Sequence, residues 1–155
     1  NGKAVIKKEI LGGEALFLRR YVKRSERKGE EILTHQNLPR LKAVLKDLSN
    51  MCRTRNAELN LLLLPSKWDL YHAIAVNKSD SLRLSESYLT LNQKLEDWSG
   101  NGNFTFLDLS TPFVEEAQRA ASNGKMFYWR DDTHLNYLGN RKLAEMVLNR
   151  LQFEY

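Results

Sequence analysis

The feature of this chain that most restricts its fold is a short apolar run at residues 59–64, which is all leucine apart from one asparagine and ends at Pro65. A near-continuous apolar run of this length, stopped by a proline, is typical of a central parallel strand covered on both faces. Directly before it, an amphipathic helix is predicted from Asn37 to about Asn56, with one apolar stripe formed by Leu41, Val44, Leu45, Leu48 and Cys52. A helix followed closely by a buried strand predicts an α/β fold.

The rest of the chain repeats this alternation. The further elements that the pattern predicts are a short helix over residues 15–22, a helix over 82–98, a strand over 104–109, a helix from Thr111 to Gly124, an extended piece over 127–129 and a last helix capped by Asn136. We therefore expect one α/β domain over residues 1–155, with a mostly parallel sheet flanked by helices on both faces in a flavodoxin-like three-layer arrangement. Within it, residues 1–36 form a basic and less regular segment, and residues 37–155 form the core portion.

The positive charge is concentrated at the start of the chain. The net charge is +5, and residues 1–55 hold 14 Lys and Arg against 6 Asp and Glu, whereas the remainder holds 10 against 13. The basic run at residues 19–28 could form a nucleic-acid patch, but acidic residues interrupt it, and such runs are usually a solvated face. Nucleic acid is therefore not an expected partner. No apolar run is long enough to cross a bilayer, so no membrane segment is predicted.

The sequence Asp-Asp-Thr-His-Leu-Asn at residues 131–136 lies between an aromatic run and the last predicted helix. A carboxylate placed two or three residues before a histidine can fix the imidazole tautomer and stabilise the protonated ring. This arrangement is the base-and-orienter pair of a serine-type hydrolase. The alternative is that Asp131 or Asp132 only caps the last helix and that His134 is an ordinary surface histidine.

The polar segments that follow the predicted strands would share one edge of the sheet, where ligand sites of such folds lie. At this edge the sequence resembles the SGNH/GDSL hydrolase superfamily, in its branch related to the bacterial alginate O-acetyltransferases. The matching segments are Leu-Leu-Leu-Pro-Ser-Lys at 62–67 with Tyr71, Phe-Leu-Asp-Leu at 106–109, Phe-Tyr-Trp-Arg-Asp-Asp-Thr-His-Leu-Asn at 127–136, and Gly139.

The resemblance implies an SGNH-type esterase or O-acyltransferase domain that acts on an ester, such as an acetylated carbohydrate, by a Ser-His-Asp acyl-enzyme mechanism. In this mechanism His134 is the general base. The usual superfamily spacing, Asp-x-x-His, selects Asp131 as the orienting carboxylate, whereas the acetyltransferase-like branch uses Asp-x-His and selects Asp132, which we favour. The branch also suggests the periplasm or cell envelope as the location.

The nucleophile is the part of the family pattern that this sequence lacks, because it contains no Gly-Asp-Ser and no Gly-x-Ser-x-Gly. We therefore expect the chain to be a portion of the enzyme, with the serine outside it. Ser66 is the internal substitute, although Pro65 predicts a turn at this point. The expected substrate contacts are Lys67, as an anion or substrate ligand, and Ser66, Tyr71, Trp129 and Asn136.

The histidines and the single cysteine show no His-x-x-x-His spacing and no Cys/His cluster, so we expect neither a metal nor another cofactor. A second function stays open, namely a non-catalytic module of the same fold that binds a polysaccharide or a protein. If a central strand lies outside the chain, the apolar sheet edge around residues 61–64 would favour homo-oligomers.

Overall fold

The structure is a computed structural model that describes residues 5–10, 13–76, 84–101 and 104–151. Two strands come first along these residues, and each of the two later strands is preceded and followed by helices, as expected for an α/β domain. The strands are β1 (Val5–Ile10), β2 (Gly13–Leu18), β3 (Asn60–Leu62) and β4 (Thr105–Leu107). The helices are α1 (Arg19–Ser25), α2 (Gly29–Leu33), α3 (Asn37–Arg53), α4 (Lys67–Val76), α5 (Glu86–Gly100), α6 (Ser110–Ser122) and α7 (Tyr137–Leu151).

The strands form two separate pairs. β3 and β4 lie parallel with Leu61 opposite Phe106, so the strands predicted at 59–64 and 104–109 are present in shortened form and pair in the predicted direction. β1 and β2 form an antiparallel hairpin with Ile6 opposite Phe17. Among the described residues each sheet has two strands. The predicted mostly parallel sheet is therefore not confirmed beyond the β3–β4 pair.

The helix predicted over residues 15–22 is wrong for its first half. Residues up to Leu18 belong to β2, and α1 begins only at Arg19. In β2 the side chains of Ala15 and Phe17 are buried while those of Leu16 and Leu18 are partly exposed, which is the two-residue alternation of a strand. Four consecutive apolar residues hide this alternation in the sequence, because an apolar side chain occupies both faces.

The main core joins the hairpin to α4, α6 and the segment that precedes the last helix. Its aromatic centre includes Phe113 and Phe127, whose ring centroids are 5.2 Å apart, and Tyr71 and Tyr128, which meet edge to face at 6.4 Å. A smaller core formed by Leu45, Leu95 and Phe106 lies between α3, α5 and the parallel strands. The larger core thus surrounds the aromatic run that leads into the Asp-His sequence.

The apolar stripe predicted for α3 is only partly buried. Leu45 is 5% exposed, whereas Leu41, Val44 and Leu48 are 37%, 46% and 41% exposed. The helix therefore packs on the β3–β4 pair through a narrow line of residues. Since the sheet is two strands wide in the described part of the chain, it does not reach far enough to cover the whole stripe.

The first turn of α7 rests directly on the backbone of the aromatic run. A Cβ atom at Gly139 would collide with the carbonyl oxygen of Phe127 and meet the side chain of Leu135 at 3.0 Å. We expect Gly139→Ala to lower the free energy of unfolding by about 1–3 kcal/mol, because the helix must move away from this carbonyl. Urea unfolding of the two proteins measures the difference.

The matched control is Gly100→Ala at the end of α5, where a Cβ atom has no heavy-atom neighbour within 4 Å. This change is expected to be neutral or to stabilise by up to about 1 kcal/mol, because alanine is the better helix former. Equal midpoints for the two variants would contradict the close packing of α7 on Phe127.

Candidate functional site

The backbone around the Asp-His sequence is fixed by tyrosine hydroxyls and by pairing of the chain with itself. The amide of Phe127 donates to the Tyr71 hydroxyl at 2.6 Å, and the Tyr128 hydroxyl donates to the carbonyl of Pro65 at 2.6 Å. Tyr128 also forms an antiparallel bridge with Leu135. The residues between the bridge partners, 129–134, therefore form a closed loop on a buried base, and we call them the Asp-His loop.

Asn136 ends this region and starts α7. Its side-chain oxygen accepts a hydrogen bond from the amide of Gly139 at 3.0 Å, and its side-chain nitrogen donates to the carbonyl of Met126 at 2.5 Å. The predicted helix cap is confirmed by these contacts. Both ends of the side-chain amide are hydrogen-bonded to the backbone. These bonds give no support to the predicted contact of Asn136 with a substrate, which stays a prediction.

The Asp132 and His134 side chains meet at the surface of the loop. Nδ1 of His134 lies 2.9 Å from Oδ1 of Asp132, and the amide of Thr133 donates to the same oxygen at 2.5 Å. The imidazole is 80% exposed and the carboxylate 52%. With Asp132 ionised, Nδ1 carries the proton of this bond and Nε2 keeps its lone pair facing outward.

The two candidate carboxylates are in different positions. The Asp132 carboxylate contacts His134. Asp131 is exposed on the loop, and within the described residues it forms no hydrogen bond with the imidazole. The geometry thus favours the Asp-x-His alternative over Asp-x-x-His. The hydrogen bond from the Thr133 amide, and then that from His134, hold the pKa of Asp132 below its usual value of 3.8.

Lys67 lies directly beneath the loop. It is 3% exposed, and its ammonium donates to the carbonyl oxygens of Leu16, Trp129, Arg130 and Asp132 at 2.9, 2.7, 2.8 and 3.0 Å. Burial lowers the pKa of Lys67 to about 8, while the nearby Asp131 and Asp132 carboxylates raise it. Four carbonyls surround the three ammonium protons, so two of the carbonyls share a proton and no donor is left over. These bonds give no support to the predicted contact of Lys67 with an anion or substrate, which stays a prediction.

Ser66 and Tyr71 are likewise occupied by structural contacts. The Ser66 hydroxyl donates to the carboxylate of Asp69 at 2.6 Å and accepts from the Asp69 amide at 3.1 Å, which makes Ser66 the N-cap of α4. Its hydroxyl thus faces Asp69 rather than His134. Tyr71 has no exposed surface, so it does not contact a substrate in this arrangement.

Two adjacent clefts flank the Asp-His loop. A cleft of about 220 Å³ is bordered by His134 and Thr133, with the predicted site residues Ser66 and Lys67 also in its lining. The rest of its walls are apolar or aromatic: Phe17, Leu18, Tyr21, Leu64, Pro65, Trp68 and Tyr128. A wider cleft of about 590 Å³ lies between the hairpin and the loop, beside Trp129, Asp131 and Asp132. Both clefts are lined by Phe17, Leu18 and Thr133. Trp129 is 53% exposed, so its side chain is accessible from solvent, and its predicted contact with a substrate stays a prediction.

The hairpin is the part of the site that the sequence pattern did not reveal. Arg130 lies over Gly13, where a Cβ atom would collide with the guanidinium, and the amide of Leu16 donates to the Arg130 carbonyl at 2.8 Å. β2 is therefore attached directly to the Asp-His loop. In the sequence, the hairpin is marked by Gly13 and by the apolar run that follows it. Neither feature indicates contact with a loop more than a hundred residues away.

The described residues contain no group of three His, Cys, Asp or Glu side chains that could hold a metal ion. In the same part of the chain, no helix has the length and apolar character needed to cross a membrane.

Comparison with known proteins gives one match. A family model described as the SGNH hydrolase-like domain of acetyltransferase AlgX matches residues 16–154. The matched range contains the second half of β2, Lys67, the Asp-His loop and α7, and it confirms the resemblance that the sequence carries. No curated protein and no solved structure matches the chain.

The low pKa of Asp132 leads to a prediction for acidic solution. The folded protein lowers the pKa of the Asp132 carboxyl below its usual value of 3.8. The stabilisation by the hydrogen bonds to the ionised carboxylate is therefore fully present above pH 3.8. It is lost as the pH falls through the folded pKa. A ¹³C NMR titration of the Asp132 carboxyl should give a midpoint below 3.8, and His134→Ala should move the midpoint upward. A midpoint at or above 3.8 in the unmodified protein would contradict the described hydrogen bonds.

Proposed function

This chain belongs to the family of the SGNH hydrolase-like domain of acetyltransferase AlgX, and from this premise we propose that it carries the base and the orienting carboxylate of an acyl-transfer site. His134 is the general base and Asp132 orients it. The observation that carries the proposal is the 2.9 Å contact between His134 Nδ1 and Asp132 Oδ1, which leaves Nε2 free at the surface of a cleft. The nucleophilic serine is supplied from outside these 155 residues.

The mechanism follows from the orientation of the imidazole. Nε2 of His134 accepts the proton of the serine hydroxyl as the serine oxygen attacks the ester carbonyl. The resulting imidazolium is stabilised by the Asp132 carboxylate and returns the proton to the leaving alkoxide, which departs as the alcohol. In the second half, His134 takes a proton from water or a sugar hydroxyl as the oxygen of that group attacks the acyl-serine. The imidazolium then returns this proton to the departing serine oxygen, and an acid or a new ester is released.

The substrate that this site fits best is an ester of a carbohydrate. The wider cleft places the exposed Trp129 ring beside Asp131, which offers one flat apolar face and one hydrogen-bond acceptor to a sugar. The smaller cleft beside His134 has room for a short acyl group between apolar walls. In this assignment the sugar lies over Trp129 and the ester carbonyl lies at His134.

A second candidate function is a non-catalytic module that binds a polysaccharide or a protein through the same clefts. The observation that favours it is the Ser66 hydroxyl, which is bonded to Asp69 and not to His134. On this alternative the exposed imidazole and Trp129 serve binding alone, and no form of the protein turns over an ester.

Ester hydrolysis distinguishes the two functions. We would assay p-nitrophenyl acetate with this chain and with a form extended at both ends to the natural gene boundaries. The extended form should be active, and Asp132→Asn should lower its kcat by about 10³- to 10⁴-fold, because the imidazole loses the group that fixes its tautomer. Asp131→Asn should cost much less.

The control is Asp97→Asn on α5, an exposed carboxylate paired with Lys94 and distant in sequence from the Asp-His loop. Its activity should equal that of the unmodified protein. If Asp131→Asn caused the larger loss, the orienting carboxylate would be Asp131. If the extended form showed no hydrolysis above background and bound an oligosaccharide, the non-catalytic function would replace the proposed one.

A further inference from the structure

The ammonium of Lys67 joins three parts of the chain that are far apart in sequence. It accepts no hydrogen bond and donates to Leu16 in β2, to Trp129 and Arg130 at the start of the Asp-His loop, and to Asp132. The last of these is the residue whose side chain holds His134. Lys67 itself is the first residue of α4, and the Ser66 cap and the buried Tyr71 hold the start of that helix in place.

We propose that Lys67 is the positioning residue of the Asp132–His134 pair, whose ammonium fixes the main chain of Asp132 and so sets the side-chain contact with the imidazole. The inference rests on the proposed function, since positioning matters only if His134 is the base. It goes beyond that function because it assigns the geometry of the pair to a buried ammonium whose hydrogen bonds go to main-chain carbonyls and not to the imidazole.

Two anchors on Asp132 make this coupling direct. The carbonyl oxygen of Asp132 accepts from Lys67 at 3.0 Å, and the carboxylate oxygen that meets His134 accepts from the Thr133 amide at 2.5 Å. The peptide unit between these two anchors cannot rotate without breaking one of them. The Trp129 carbonyl, at 2.7 Å from the ammonium, fixes the other end of the loop.

A lysine is suited to this position and an arginine is not. The ammonium is compact and its three protons point in different directions, so it can serve carbonyls that converge from several sides, whereas a guanidinium presents its donors in one plane. The ring of Phe17, with its centroid 5.1 Å from the ammonium, covers the remaining side. Removing the ammonium leaves these part-buried carbonyls without this donor, which costs free energy and releases the loop.

The first test reads the imidazole rather than turnover. In ¹⁵N-labelled protein, long-range ¹H–¹⁵N spectra report which ring nitrogen of neutral His134 carries the proton, and the signal is assigned with a His134→Gln variant. The structure requires the proton on Nδ1, opposite to the preference of a free histidine side chain. Lys67→Met should lose this preference, with Nε2–H becoming the major form.

The matched control is Ser66→Ala, which removes the N-cap of the same helix and touches none of the four carbonyls. It should lower the urea midpoint of unfolding, because the helix loses its cap, and keep the proton on Nδ1. Persistence of Nδ1–H in a folded Lys67→Met variant would overturn the proposal, and so would loss of Nδ1–H in Ser66→Ala as well, since the effect would then follow stability alone.

The second test uses the unmodified protein and applies even if Lys67→Met does not fold. Raising the pH until the ¹³Cε shift of Lys67 shows deprotonation should release the loop, with a midpoint near pH 8. The groups that face Lys67 are the carboxylates of Asp131 and Asp132. Burial raises the pKa of Tyr71 to about 12 and that of Tyr128 further, so these anchors do not titrate in the same range.

In this titration the Nδ1–H signal of His134 should decline together with the Lys67 transition. A neutral Lys67 beside an unchanged Nδ1–H signal would overturn the proposal. Neither result depends on ester hydrolysis, so failure of the positioning role is distinguishable from failure of the proposed function.

Discussion

A buried ammonium surrounded by backbone carbonyls is the constraint on which the rest of this structure depends. Lys67 is taken out of water and is compensated by four carbonyl oxygens rather than by a single carboxylate. Because those oxygens belong to β2 and to the Asp-His loop, the charge is satisfied only when the hairpin, the loop and the start of α4 are together. The interaction therefore links the amino-terminal hairpin to a loop that lies more than a hundred residues later.

Around this charge, neutral anchors make the base of the loop rigid. The hydroxyls of Tyr71 and Tyr128 hold the aromatic run, Asn136 caps α7, and the missing side chain of Gly139 lets that helix approach the backbone of Phe127. The Asp132–His134 pair extends from this frame into solvent, with the imidazole 80% exposed. A rigid base below an open face suits a large substrate or a further chain segment that closes the site from above.

The sequence predicted the parts of this arrangement that depend on local patterns. The β3–β4 pair follows from two apolar runs, the cap at Asn136 from its side chain, and the pairing of Asp132 with His134 from their spacing and from the family resemblance. The structure added what depends on distant contacts. β2 is a strand because it pairs with β1. The run of four apolar residues at 15–18 does not show this pairing, so the sequence pattern alone predicts a helix there.

The role of Lys67 shows the same limit. Its position after a strand and a proline indicated a functional place, and lysines are rarely buried, so a substrate contact was the natural prediction. The four carbonyls that receive its protons carry no signal in the sequence, because every residue has such a group. The partial exposure of the apolar stripe of α3 is a similar case. It depends on the width of the sheet, which the sequence of α3 does not show.

On the proposed function, Asp132 and His134 are two members of a three-residue acyl-transfer site. A high-resolution crystal structure of the protein at its natural gene boundaries would give the distance from His134 Nε2 to the nearest serine Oγ. We expect a hydrogen-bond distance of about 2.6–3.2 Å, with Asp132 still on Nδ1. A structure in which no serine reaches Nε2, and in which another side chain or a helix covers the imidazole, would contradict it.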